Sequence, residues 1–212
     1  MKRITIITIL MLIPAIIVGI IGKCSYTNHN NLSYYTVATI DEELLSFVYH
    51  SKEDIQESSS YILKVKCTSD TQFSFKLTYQ EAEVIEVYKG KDKMQKGNMI
   101  RISPVSSCIF SDDNSINMGF VNEMEKGKEY LVMLGEEKSS LELKQSIYPT
   151  VECMITMIFA YDEIENKVAK EGYVPYTEVE SSEVFADSQE AIDLFEQMKT
   201  ELLEKYSSDR NL

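Results

Sequence analysis

Only two histidines, His29 and His50, occur in the 212 residues, and neither has a second ligand at zinc spacing. A Ser-His-Asp or Cys-His apparatus therefore lacks an obvious base and is not expected. Asp112-Asp113-Asn114 offers the oxygens that hard cations take. It lacks the EF-hand spacing and glycine, so it reads as a solvated loop. Carboxylates are plentiful, and a pair acting in hydrolysis stays open, although nothing in the sequence sets two of them across a cleft. The four cysteines, Cys24, Cys67, Cys108 and Cys153, allow three pairings if all are oxidised. Cys67 and Cys153 fall in phase with apolar neighbours, which fits buried thiols. A disulfide among Cys67, Cys108 and Cys153 is the competing reading. There is no C-x-x-C, so redox catalysis is not expected, and no residue set calls for a metal or cofactor.

The formal charge is −13, which argues against nucleic acid as a partner, since such binders neutralise phosphates with Lys and Arg. The basic run from Lys89 to Lys96 reads as a solvated turn. With 44% hydrophobic and 26% charged residues, the chain can bury a core. Trp is absent while Tyr and Phe are frequent, a usage that suits pleated sheets.

These residues must be positioned by strands. Tyr61, Leu63, Val65 and Cys67 alternate with Lys64 and Lys66, the pattern of a half-buried strand. Phe73 to Ile102 reads as a long bent strand, a Gly-containing connection and a returning strand. Phe73, Phe75, Leu77 and Tyr79 share one parity, and Ala82 and Val84 take the other, which predicts a bulge or sharp bend near Gln80–Ala82. Further strands are expected at Met99–Ser103, Tyr130–Leu134, Leu141–Tyr148 and Val151–Tyr161. Asp41 is placed to cap a short helix carrying Leu44, Leu45 and Val48, and Ser51–Ser60 reads as a loop or frayed end. Ala191, Leu194, Phe195, Met198 and Leu202 form an apolar stripe on a helix over 188–206, capped by Asp187 or Ser188 and expected to dock on a β-barrel rather than to serve as a partner-binding surface.

At the amino terminus, Met1-Lys2-Arg3 precedes an uncharged apolar run from Ile4 to Gly22. A helix of that length nearly spans the ~30 Å hydrocarbon core, and the positive flank would leave the rest of the chain outside the cytoplasm. An uncleaved anchor is the first expectation. A cleaved signal and a lipoprotein signal ending at Cys24 are the alternatives, the latter opposed by Lys23.

Tyr61-Ile62-Leu63-Lys64-Val65, then Glu83-Val84-Ile85-Glu86-Val87-Tyr88-Lys89-Gly90, Gly97-x-x-Ile100-x-Ile102, and Lys126-Gly127-Lys128-Glu129-Tyr130-Leu131-Val132-Met133-Leu134 together resemble secreted bacterial domains with the OB-like barrel of tissue inhibitors of metalloproteinases and netrin modules. The resemblance spans about 60–161. It implies a mainly β, small antiparallel barrel with a minor helical part. Those inhibitors place an N-terminal cysteine on the protease zinc. Here no cysteine begins the barrel, so their inhibitory residues do not carry over. The expected organisation is an anchor or signal over 1–23, a spacer over 24–59, the barrel over 60–165, and an extension over 166–212. The expected function is non-catalytic binding of an extracellular partner, with the loop of Cys108, Asp112 and Asp113 as a possible contact. A protease-inhibitor-like regulator and a carboxylate-dependent hydrolase are the alternatives.

Overall fold

The computed structural model describes residues 2–27, 31–74, 77–104, 108–110, 114–140 and 145–208, with the backbone alone at 2–9, 23–27, 108–110, 140, 145 and 208. The chain divides into two units, Met1–Leu32 and Ser33–Leu212. The first contains helix α1 (Lys2–Thr27), interrupted by no loop despite Pro14. Among the described residues, no helix is long and apolar enough to cross a membrane. This corrects the expectation of a transmembrane segment, of the membrane as a partner and of a single-pass location. The signal and the extracytoplasmic placement, argued from the same helix, lose that support with it.

The second unit begins with strand β1 (Thr36–Ala38), helix α2 (Glu42–His50) and helix α3 (Lys52–Ser58). Asp41 caps α2 as expected, its carboxylate accepting the Leu44 N–H at 2.7 Å. The Ser51–Ser60 stretch, expected as a loop or a frayed helix end, contains the separate helix α3, with Lys89 Nζ donating to the terminal carbonyls of Gln56 and Glu57. The strands that follow are β2 (Tyr61–Cys67), β3 (Gln72–Ser74), β4 (Leu77–Lys89), β5 (Met99–Ser103), β6 (Cys108–Phe110), β7 (Ser115–Asn117), β8 (Glu129–Leu134), β9 (Lys138–Ser140), β10 (Gln145–Pro149), β11 (Ile158–Ala160) and β12 (Tyr173–Pro175). Helices α4 (Tyr176–Val179) and α5 (Gln189–Ser208) complete the unit. Strands hold 33% and helices 32% of the chain, so the mainly β character holds while the helical share exceeds the expectation.

The larger sheet runs β11-β8-β2-β4-β5-β10-β9, with β3 beside β4. Within it, β10 lies parallel to β5 and the other pairs are antiparallel. It is not a closed barrel, because the ladders end at β11 and β9. An isolated bridge joins Leu134 and Thr150, flanked by Gly135 N–H to Pro149 O and Val151 N–H to Met133 O, each 2.9 Å. A smaller sheet runs β12-β1-β7-β6.

Strand alternation feeds two cores. Leu63 and Val65 of β2 and Val132 and Leu134 of β8 face one cluster, with Ala82, Val84, Ile100 and Ile102. Ile62, Leu131 and Met133 face the other, which α5 covers with Ala191, Phe195, Met198 and Leu202. Leu194 of the predicted stripe is only partly buried. The bulge predicted near Gln80–Ala82 is absent. Thr78, Gln80, Ala82 and Val84 are buried on one parity, and the register shifts of β4 against β2 fall later, opposite Ile62–Leu63 and Lys64–Val65. The misreading has a physical cause: two of those inward positions carry polar side chains that find partners. Gln80 donates to Met124 O at 2.7 Å and accepts the Met124 N–H at 2.9 Å. Phe75 lies outside the described residues.

Candidate functional site

Where 121–125, the end of β11 and 176–183 meet, the second unit carries a cleft of about 160 Å³. Its lining combines Val121, Ile158 and Ile164 with Tyr130, Tyr176 and the carboxylates of Glu123, Glu125, Glu180 and Glu183. The volume suits a group the size of one side chain and falls below the several hundred Å³ typical of small-molecule pockets.

The cleft is shaped by a turn upstream of β8. Gly119 and Phe120 both adopt left-handed backbone, with φ of 62° and 60°. A Cβ on Gly119 would lie 2.5 Å from Thr156 Oγ1 and 2.9 Å from Thr156 N, so the close approach requires glycine. Phe120 O accepts the Phe185 N–H, and Asn122 N–H donates to Glu183 O, each at 2.8 Å, which aligns the two walls. Asn122 then acts as a bracket. Its amide nitrogen donates to Glu180 O and Ser182 O, and its Oδ1 accepts from the Tyr176 hydroxyl, all at 2.9 Å. Its Oδ1 also accepts the Glu123 N–H at 2.8 Å. The Tyr130 hydroxyl accepts the Glu125 N–H at 2.6 Å.

The carboxylates differ in environment. Glu183 is 4% exposed. Its Oε1 accepts the Ala160 N–H and its Oε2 the Lys199 ammonium, both at 2.6 Å. Burial nevertheless holds its carboxyl above the usual carboxylate range, with the attraction of Lys199 only partly offsetting that. Glu123 is half-buried and also raised, first by burial and then by Asp70, while a hydrogen bond from Thr71 acts the other way. Glu125 and Glu180 are exposed at the mouth. Burial, and then the charge of Glu123, pushes the Tyr176 phenol well above its ordinary value. Burial does the same to Tyr130.

Of the candidate site residues named from the sequence that lie among the described residues, none lines this cleft. Cys67 is a buried free thiol donating to Ser69 O at 3.2 Å, and burial pushes it up to about 11. Cys153 is a half-buried free thiol, raised by burial, and packs against the helix-covered core rather than the core of Cys67. The two are therefore not bridged to each other. The side chain of Cys108, with Asp112, Asp113 and His29, lies outside the described residues. His50 is exposed near the end of α2, its Nδ1 2.7 Å from Ser46 O. Among the described residues, no group of three or more His, Cys, Asp or Glu side chains is placed to hold a metal ion. The cleft residues carry no motif. The one signal available to a reader was the cluster of acids around Tyr176 to Glu183, and it does not say that the segment folds against 121–125.

No protein-family model matches the chain, and no curated protein is significantly similar to it.

Proposed function

We propose that the chain is a non-catalytic binding protein whose second unit follows an OB-like strand path and receives a partner's compact basic group in the acidic cleft. The strand path is supported by the pairing order. Strands β2, β4 and β5 form an antiparallel run, β10 lies parallel to β5, and β8 pairs with β2. The Leu134–Thr150 bridge brings β10 beside β8, as a partly open five-stranded barrel of the inhibitor and netrin type requires. The observation that carries the binding reading is how the polar groups of the cleft are used. Glu183 spends both oxygens on Ala160 and Lys199, and Asn122 spends its amide on the walls. These groups hold a shape. The carboxylates of Glu125 and Glu180 face solvent at the rim, and Glu123 sits between rim and floor. Apolar floor, tyrosine rings and an acidic rim suit a lysine side chain or a terminal amine, with charge complementarity setting orientation.

The test is an NMR titration of the full chain at neutral pH with a short lysine-containing peptide and its glutamate counterpart. Shifts confined to Asn122, Tyr130, Tyr176 and Glu183 with the lysine peptide alone support the reading. Equal shifts with both peptides, or none at the cleft, refute it.

A carboxylate-dependent hydrolase is the second reading, favoured by the raised Glu123 carboxyl, which has the character of a general acid. It requires hydrolysis of a glycoside panel that is lost in Glu123→Gln. An inhibitor-like role requires that the full chain slow a purified metalloprotease.

A further inference from the structure

Among the described residues Lys199 is the buried lysine, 6% exposed, and it lies behind the cleft rather than in it. Its Nζ reaches Glu183 Oε2 at 2.6 Å and the Asp162 carbonyl at 3.2 Å. Glu183 in turn binds the Ala160 N–H of β11, and its own N–H donates to Asn166 Oδ1 at 2.7 Å. One ion pair thus ties α5, β11 and the cleft wall together.

We propose that the Glu183–Lys199 pair is a proton-operated latch on the cleft wall. The idea rests on the cleft being a binding site, and it adds a means of regulating it. When Glu183 takes a proton from solvent, the carboxyl keeps the Ala160 N–H on Oε1 but no longer neutralises the ammonium. An unpaired buried cation is strongly disfavoured, so Lys199 turns toward water and the wall at Ser182–Val184 loosens, held then by its hydrogen bonds to Asn122 and Asn166. Helix α5 stays docked, because Phe195, Met198 and Leu202 remain buried independently of the pair.

The groups around Glu183 set the direction. From α5 they are Lys199 and Glu196, and from β8 Tyr130. After β11 there is Asp162, itself paired with Lys128, and from the cleft Glu123, Glu125 and Glu180. Lys199 and the Ala160 N–H favour the charged carboxylate and Glu196 opposes it, but burial outweighs them. Burial therefore leaves the Glu183 carboxyl raised, and the latch opens as pH falls through its own titration.

The test follows the full chain by NMR between neutral and mildly acid pH, reading the Glu183 carboxyl carbon and amide exchange corrected for intrinsic rates. The expected result is that the Glu183 and Val184 amides lose protection about tenfold per pH unit along the carboxyl's own titration, while β2 and β8 amides do not. Glu183→Gln should show a loosened wall at every pH with that dependence gone, and Lys199→Met, which leaves the Glu183 carboxylate unpaired, should reverse it, the wall tightening as the carboxyl takes its proton. Wall protection that stays constant through the Glu183 titration overturns the latch, as does Glu183→Gln protected like the native chain. Because the wild-type titration needs no variant, a misfolded mutant leaves the question decidable. Failure of the lysine peptide to bind at neutral pH sinks the binding reading without touching this result.

Discussion

Replacing Gln80 by glutamate probes the buried polar contact that holds the cleft's leading segment to the sheet. Gln80 is 7% exposed and matches both backbone groups of Met124, donating to its carbonyl at 2.7 Å and accepting its N–H at 2.9 Å. An ionised glutamate keeps the acceptor but loses the donor, which leaves the Met124 carbonyl without that partner beside a desolvated charge. An unmatched buried group costs about 1–3 kcal/mol, and the penalty for the unpaired charge adds to it. Gln80→Glu should therefore lose at least ~3 kcal/mol at neutral pH. A protonated glutamate has the same shape as glutamine, with an O–H to donate and a C=O to accept. The variant should thus recover as pH falls. The linkage has a definite sign. The native state raises this carboxyl above its unfolded value, so its stability is full below the unfolded value and is lost as pH rises through the native one. Urea unfolding at neutral and mildly acid pH measures this, read as a midpoint shift at constant slope. A variant equally stable at both pH values, or one that weakens on acidification relative to the native protein, refutes the assignment of Gln80 as a two-bond clamp.

Gly119→Ala should destabilise the chain by at least ~1–2 kcal/mol from the left-handed backbone alone, since a Cβ there meets Thr156 at 2.5 Å. Thermal unfolding checks this, and an unchanged midpoint would show that the turn relaxes freely. Cys67, buried and raised to about 11, should resist thiol reagents at pH 8 until the chain unfolds, while half-buried Cys153 reacts before it. Mass spectrometry of partially labelled protein reports the order, and early modification of Cys67 contradicts its placement.

Where side-chain chemistry and local period agree, the residues alone determine the element. The strict alternation of Tyr61–Cys67 makes β2, Tyr130–Leu134 lies within β8, and the stripe of Ala191, Phe195, Met198 and Leu202 makes α5, because one apolar face must leave water. The Asp41 cap is equally local, its carboxylate and the N–H it accepts being three residues apart. Tertiary structure decided what depends on partners distant in the chain. Gln80 looks solvent-facing until the backbone of Met124 arrives to match both ends of its amide, which sets the phase of β4. Glu183 looks like one more surface acid until Lys199 and the Ala160 N–H close on it. The cleft joins 121–125 to 176–183, which no periodicity links. A polar side chain's burial is set by whether a complementary group reaches it, and that is a property of the folded chain, not of the residue.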